Sequence, residues 1–135
     1  VNPYPYCYTG CTVGSASPTP TPAPITRSPS ATIWPGESGV KSTISDNEDL
    51  IIHFNRNTDV NVINLRIDGV EEGGTTQTVV SLTGGGTQIT WPNTHAKHTV
   101  GSHNVSIHPY YCPNGPSQPG CVGGGIDART VNVTN

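Results

Sequence analysis

The sequence predicts an all-β chain: a Greek-key β-sandwich of about seven strands over residues 31–135, preceded by an extended N-terminal tail. Three observations carry this. Glycine (16) and proline (13) are abundant and charged residues make up only 11%, a turn-rich composition in which Thr, Ser, Asn and Val favour strands over helices. No stretch keeps a helical apolar period beyond about two turns, whereas short alternating runs recur with turn signals roughly every 8 to 12 residues. Setting aside a tail that cannot build a core leaves about 100 residues, the usual size of a small sandwich.

The tail divides in two. Residues 1–14, VNPYPYCYTGCTVG, form a cystine-clipped aromatic segment. Tyr4, Tyr6 and Tyr8 alternate, so an extended backbone places the three rings on one side. Pro3 and Pro5 alternate as well, so both missing N–H groups fall on one edge and only the other edge can pair. Residues 15–30, SASPTPTPAPITRSPS, hold one sizeable apolar side chain, Ile25. Proline at every second or third position excludes helix and central strand, and the segment should run as polyproline II for roughly 50 Å. Such a strap has to be held from outside itself, by a neighbouring copy or by attached sugars.

The strands follow in order. SATIW (30–34) is stopped by Pro35-Gly36, and VKSTI (40–44) is a short edge piece. EDLIIHFNR turns Leu50, Ile52 and Phe54 inward. VNVINLRID carries Val60 and Val62, then Ile63, Leu65 and Ile67. The change of phase at Val62-Ile63 predicts a β-bulge. TQTVVSL carries Thr78, Val80 and Leu82 in alternation, and Gly84-Gly85-Gly86 turns the chain into TQITW, with Ile89 and Trp91 inside. VGSHNVSIHPYY places His103, Val105 and Ile107 on one face, and ARTVNVT closes the domain with Val131 and Val133.

Three of these stretches, LRIDGV (65–70), QITWPNT (88–94) and VGSHNVSIHPY (100–110), resemble the bacterial Ig-like (Big-type) modules of secreted and surface proteins. Asp68-Gly69 matches their "V-D-G" turn, Trp91 their "Y-x-W" strand, and Gly101-x-His103-x-Val105-x-Ile107 their "G-x-H-x-V-x-V" strand. The resemblance spans about residues 48–134. Two departures stand out: Ile89 replaces the second aromatic residue, and the loop after the penultimate strand is enlarged to CPNGPSQPGCVGGG. The resemblance implies an Ig-like Greek-key sandwich, extracellular and non-catalytic, used for spacing, adhesion or assembly. It names no ligand.

Four cysteines form two local pairs, Cys7 with Cys11 and Cys112 with Cys121. An even count with short loops fits disulfides in an oxidising compartment. Local pairing is the expected one of three connectivities, and zinc fits less well because the tight Cys-x2-Cys knuckle is absent. The net charge is −3, from six basic and nine acidic residues. Without a basic stripe no nucleic-acid partner is expected, and no apolar run is long enough for a membrane span. The chain begins at Val1 without a signal-peptide pattern; either a leader has been removed or the numbering starts further along.

Candidate chemistry is thin. His95, His98, His103 and His108 cluster in sequence, but His103 and His108 are an odd number apart and face opposite ways, so no metal is expected. Asp46, Asn47, Glu48 and Asp49 make an acidic loop without EF-hand spacing. Glu71 and Glu72 sit in a glycine-rich turn and read as solvated. Gly84–Gly86 and Gly123–Gly125 precede no helix, so they read as flexible turns, not phosphate loops. No Gly-x-Ser-x-Gly elbow or unpaired cysteine offers a nucleophile. No enzyme activity and no cofactor are expected.

Exposed aromatics and modification remain. Tyr4, Tyr6, Tyr8, Tyr110 and Tyr111 flank the two cystine clips and are candidates for sealing a contact between copies or for stacking on sugars. Ser15, Ser17, Thr19, Thr21, Thr26, Ser28 and Ser30 beside prolines match an O-glycosylated stalk. Asn104-Val105-Ser106 and Asn132-Val133-Thr134 are N-glycan sequons whose asparagines alternate outward. The expected protein is a structural subunit of an extracellular glycosylated fibre or surface appendage, assembled head to tail through its N-terminal segment. Its partners are copies of itself and covalent glycans. The alternative is a carbohydrate-binding or spacer module of a secreted enzyme or adhesin.

Overall fold

The computed structural model describes residues 26–72, 77–82 and 86–135. Among the described residues ten strands follow one another: β1 (Ala31–Ile33), β2 (Thr43–Ser45), β3 (Leu50–Arg56), β4 (Val62–Ile67), β5 (Val70–Glu71), β6 (Gln77–Thr78), β7 (Thr87–Trp91), β8 (Gly101–Tyr111), β9 (Val122–Gly123) and β10 (Asp127–Thr134). Among the described residues there is no α-helix, only a single 3-10 turn at Gly36–Ser38. The chain is an all-β sandwich. One sheet runs β1-β3-β7 and the other β2-β10-β8-β4-β5, with β6 also on β4 and β9 on the end of β8. All pairings are antiparallel except β2 with β10.

Alternation explains the core. Leu50, Ile52, Phe54, Ile89 and Trp91 come from the small sheet; Ile63, Leu65, Ile67, Val105, Ile107, Val131 and Val133 come from the large one. All are buried in a single cluster. These are the inward positions expected of strands with period two.

The expected bulge at Val62-Ile63 is absent. Register between β4 and β8 is unbroken from Val62 opposite Tyr110 to Ile67 opposite Val105. The phase changes before the strand: Val60 belongs to the core cluster and Val62 does not, although Val62 is buried. Val62 therefore lies on the outer face of the large sheet, and something else covers it. TQTVVSL also departs from expectation. Among its described residues only Gln77–Thr78 form a strand, Ser81 makes one bridge to Thr87, Thr78 is exposed, Val80 is 66% exposed, and Val79 packs on the core. Nor is Gly123–Gly125 simply a turn: Val122–Gly123 pair with Tyr110–Tyr111, and the Gly124 N–H donates to the Pro109 carbonyl at 2.9 Å.

The two edges of the small sheet differ. On β1, the Ile33 N–H donates to Asp127 Oδ2 (2.7 Å), and the Arg129 guanidinium donates to the Ile33 and Trp34 carbonyls (3.3 and 2.8 Å). Side chains of β10 thus plug this edge, a common guard against strand addition. On β3, His53 spends its N–H on the Gly39 carbonyl (2.8 Å) and its carbonyl on the Trp34 N–H (3.0 Å), both on the β1 side. Ile52 and Phe54 therefore turn towards β7. Thr90, opposite Ile51, turns its N–H and C=O to the outer edge of β7. Among the described residues nothing bonds them.

Candidate functional site

β8 links two polar regions at its opposite ends. At the first, the three stretches that resemble Ig-like modules meet. Asp68 and Gly69 have φ of 54° and 81°, the positive pair that closes a tight hairpin between β4 and β5. That turn aims Asp68 at β8: Oδ1 accepts the Asn104 N–H (2.9 Å) and Oδ2 meets His103 Nδ1 (2.8 Å). His103 Nε2 meets the Thr99 carbonyl at 2.7 Å. Both partners are acceptors, so only the protonated ring donates to both at once. Burial works against that charge, but the bonds to Asp68 and Thr99 outweigh it and hold the His103 pKa above its ordinary value. The Asn104 N–H, then His103, hold the Asp68 carboxyl below its own.

The His103 ring meets Trp91 edge-on, with centroids 5.5 Å apart, and His98 lies against the same indole at 4.7 Å. Trp91 Nε1 donates to Glu72 Oε2 (3.2 Å), which also pairs with His95 Nδ1. Glu72 is 3% exposed, so the solvated reading of this residue is corrected: the indole and imidazole draw the carboxylate inside. Three of the four clustered histidines thus gather around Trp91. His108 faces the other side of the sheet, where burial and the nearby Arg66 push its pKa down. Among the described residues no group of three His, Cys, Asp or Glu side chains has metal-binding geometry. In the acidic loop, Glu48 pairs with Lys41, and Asp49 accepts the Asn93 N–H at 2.8 Å.

At the other end of β8, Cys112 and Cys121 are joined by a disulfide. Asn61 grips the base of their loop from both sides: Nδ2 donates to the Cys112 carbonyl (3.0 Å) and Oδ1 accepts the Cys112 N–H (2.8 Å). The loop faces the outer side of the large sheet across a cleft that Val62 also lines. Between loop and sheet lies a cleft of about 260 Å³ lined chiefly by Asn64, Arg66, Glu71, Tyr110, Ser117 and Gln118.

The root of the strap lies beside this loop. Arg27 pairs with Asp59 (3.2 Å), and its guanidinium carbon sits 4.3 Å from the centre of the Tyr111 ring. The Ser28 N–H donates to Asp59 Oδ2 (3.0 Å), lowering the Asp59 pKa, and Asn57 Nδ2 donates to the Ser28 carbonyl (2.7 Å). Pro29 is buried. Its carbonyl passes so close to Gly124 that a Cβ there would stand 1.8 Å from it, so the strap can lie here only because residue 124 is glycine. For residues 26–30 the expectation of outside contacts is corrected. Bonds to the 57–59 turn and close packing on Gly124 hold them to their own sandwich.

The expected sites therefore separate. Tyr111 holds Arg27, and Tyr110 lines the cleft. Thr26, Ser28 and Ser30 are exposed, as are Asn104 and Asn132, which stand on the outer face of adjacent strands. Cys7, Cys11, Tyr4, Tyr6, Tyr8, Ser15, Ser17, Thr19 and Thr21 lie outside the described residues. Sequence reasoning passed over Asp59, Asn61, Asn64 and Arg66. One signal pointed to them: Val62 and Asn64 alternate along β4 on the face opposite Ile63 and Leu65, and an apolar outward residue in a central strand implies a cover.

Comparison of the chain with protein-family models, with curated proteins and with solved structures finds no match.

Proposed function

We propose that this chain is a non-enzymatic structural subunit of an extracellular, glycosylated fibre or surface appendage, joined head to tail to copies of itself through residues 1–14. The observation that carries the reading is the fastened strap root. With Arg27, Ser28 and Pro29 held against the sandwich, the root of the strap has a set position beside the cystine loop. A fastened root lowers the ordering cost of docking what precedes it on a neighbour. The open backbone groups of Thr90 on β7 supply one place for strand addition, against the plugged edge at β1. Two such hydrogen bonds contribute only about 1 kcal/mol each. The larger share belongs to Tyr4, Tyr6 and Tyr8, at about 25 cal/mol per Å² of apolar area covered.

The Cys112–Cys121 disulfide favours an oxidising compartment. Exposed Thr26, Ser28, Ser30, Asn104 and Asn132 are open to glycans. The junction of Asp68, Trp91 and His103 favours kinship with bacterial Ig-like modules, since the residues that carry that resemblance bond or pack on one another.

Removing residues 1–14 tests the reading. Sedimentation and negative-stain microscopy should show polymers from the full chain and monomers from the shortened one, with unchanged thermal unfolding. Polymers from the shortened chain would overturn it. Thr90→Pro deletes the outward N–H without touching the ladder to β3, and it should shorten polymers while the sandwich stays folded.

A further inference from the structure

We propose that the cleft beneath the Cys112–Cys121 loop binds one neutral hexopyranose unit of a glycan. This site is independent of the assembly reading, since it involves neither residues 1–14 nor the β7 edge.

The floor of the cleft is built in advance. Asn64, buried in β4, ties two opposite charges together: its Nδ2 donates to Glu71 Oε2 at 2.7 Å, and its Oδ1 accepts from Arg66 Nε at 3.0 Å. Arg66 and Glu71 are also cross-strand partners. Both side chains are thereby oriented, and the Arg66 Nη atoms have no hydrogen-bond partner among the described residues. The charges cancel, so the cleft offers donors and an acceptor side by side without a net field. A sugar asks for this, because each hydroxyl donates and accepts at once. A carboxylate or phosphate ligand would have to sit beside Glu71 and is disfavoured.

The walls supply the rest. The Tyr110 ring packs against Gly123, where a Cβ would come within 3.0 Å of it, and offers an aromatic surface to the C–H face of a ring. Ser117 and Gln118 add a hydroxyl and an amide from the loop. Ser117 holds φ of 64°, a conformation that costs a non-glycine residue energy and persists where the surroundings enforce it, often at binding sites. Here the disulfide and the Asn61 grip on Cys112 do the enforcing. A cleft of about 260 Å³ is below the usual 300–1,000 Å³ of drug-sized ligand pockets, which fits a single sugar ring and not a chain buried along its length.

The test titrates methyl glycosides of glucose, galactose, mannose and N-acetylglucosamine into the unglycosylated full chain, followed by amide NMR, with methyl glucuronide as the charged comparison. One neutral glycoside should bind with Kd in the region of 1 mM, shifting residues 64–66, 71, 110, 117 and 118. Gln118→Ala, on the loop surface, should weaken binding about threefold, and Arg66→Met tenfold or more. Tyr111→Phe should leave it unchanged. Glucuronide binding more tightly than every neutral glycoside, shifts centred on Tyr111, or no shifts with any glycoside overturns the proposal. If Arg66→Met fails to fold, Gln118→Ala decides. A second arm adds the bound glycoside to glycosylated native assemblies. Dissociation identifies the source as a neighbouring copy's sugar; binding without dissociation identifies a glycan from outside.

Discussion

The two ends of β8 bury polar groups in opposite ways. At His103 the polar groups turn to one another: exposed Asp68 and the Thr99 carbonyl bond the buried His103 ring, and buried Glu72 bonds Trp91, while both ring nitrogens of buried His98 have no partner among the described residues. At Tyr110 the polar residues stand on the outer face, and a cross-linked loop covers them without filling the space. The first arrangement spends its chemistry on the fold. The second holds side chains in place and leaves the Arg66 Nη atoms without a hydrogen-bond partner among the described residues. The same strand thus carries a structural junction at one end and a receptive surface at the other.

The largest expected effect tests the structural end. Trp91 is fully buried and is packed by two imidazoles. Trp91→Ala should cost about 3–5 kcal/mol in urea unfolding, enough to unfold much of a marginally stable domain. Tyr110→Ala, at a half-exposed ring, should cost well under half of that. Equal losses would erase the contrast between the two ends.

The pH dependence of stability should divide the ends as well. His103 has its pKa raised in the fold, so its contribution is complete below about 6.5, the unfolded value, and is lost as pH rises through the folded value. His108 has its pKa lowered by burial and by Arg66. It acts in reverse: stability falls as pH drops below about 6.5, because the unfolded chain takes up the proton more readily. Asp68, lowered too, adds a separate acid loss below about pH 3.8. Urea midpoints of the native chain should therefore fall on both sides of a maximum near neutrality. His103→Gln should remove the alkaline fall and His108→Asn the fall that begins below about pH 6.5. An alkaline fall that survives His103→Gln would show that another group carries it.

Most of the sandwich was legible because alternation in a strand is a local property. Leu50, Ile52 and Phe54, or Val131 and Val133, declare their face without reference to anything distant. The end of β8 at Tyr110 was not legible, because its cover comes from a loop whose path depends on a cross-link and on Asn61, some 50 residues earlier in the chain. Val62 shows the cost. Its outward apolar side chain was read as a break in the ladder when it marked a covered surface. Glu72 fails for the same reason: a carboxylate in a glycine-rich turn reads as solvated until Trp91 and His95 are seen to approach it from another strand. His103 and Asp68 were legible as motif residues, but their bond was not.

The smallest effect concerns the strap root, which belongs to the receptive end without forming its cleft. Arg27 is part-exposed and its bonds to Asp59 and Tyr111 lie at the surface, where such contacts add little to global stability. Arg27→Ala should therefore leave the urea midpoint almost unmoved. Locally the change should be plain. The Ser28 amide, bonded to Asp59, should exchange with solvent several-fold faster as the root frays, and the residues before it should be cleaved sooner by protease. Arg27→Lys keeps the charge but loses the guanidinium that sits 4.3 Å from the Tyr111 ring centre, so exchange there should fall between the two. If exchange at Ser28 stays at its native rate in Arg27→Ala, then Pro29 on Gly124 and Asn57 on the Ser28 carbonyl hold the root by themselves. The ring of Tyr111 would then be free for contacts with another molecule, and the two ends of β8 would differ still more.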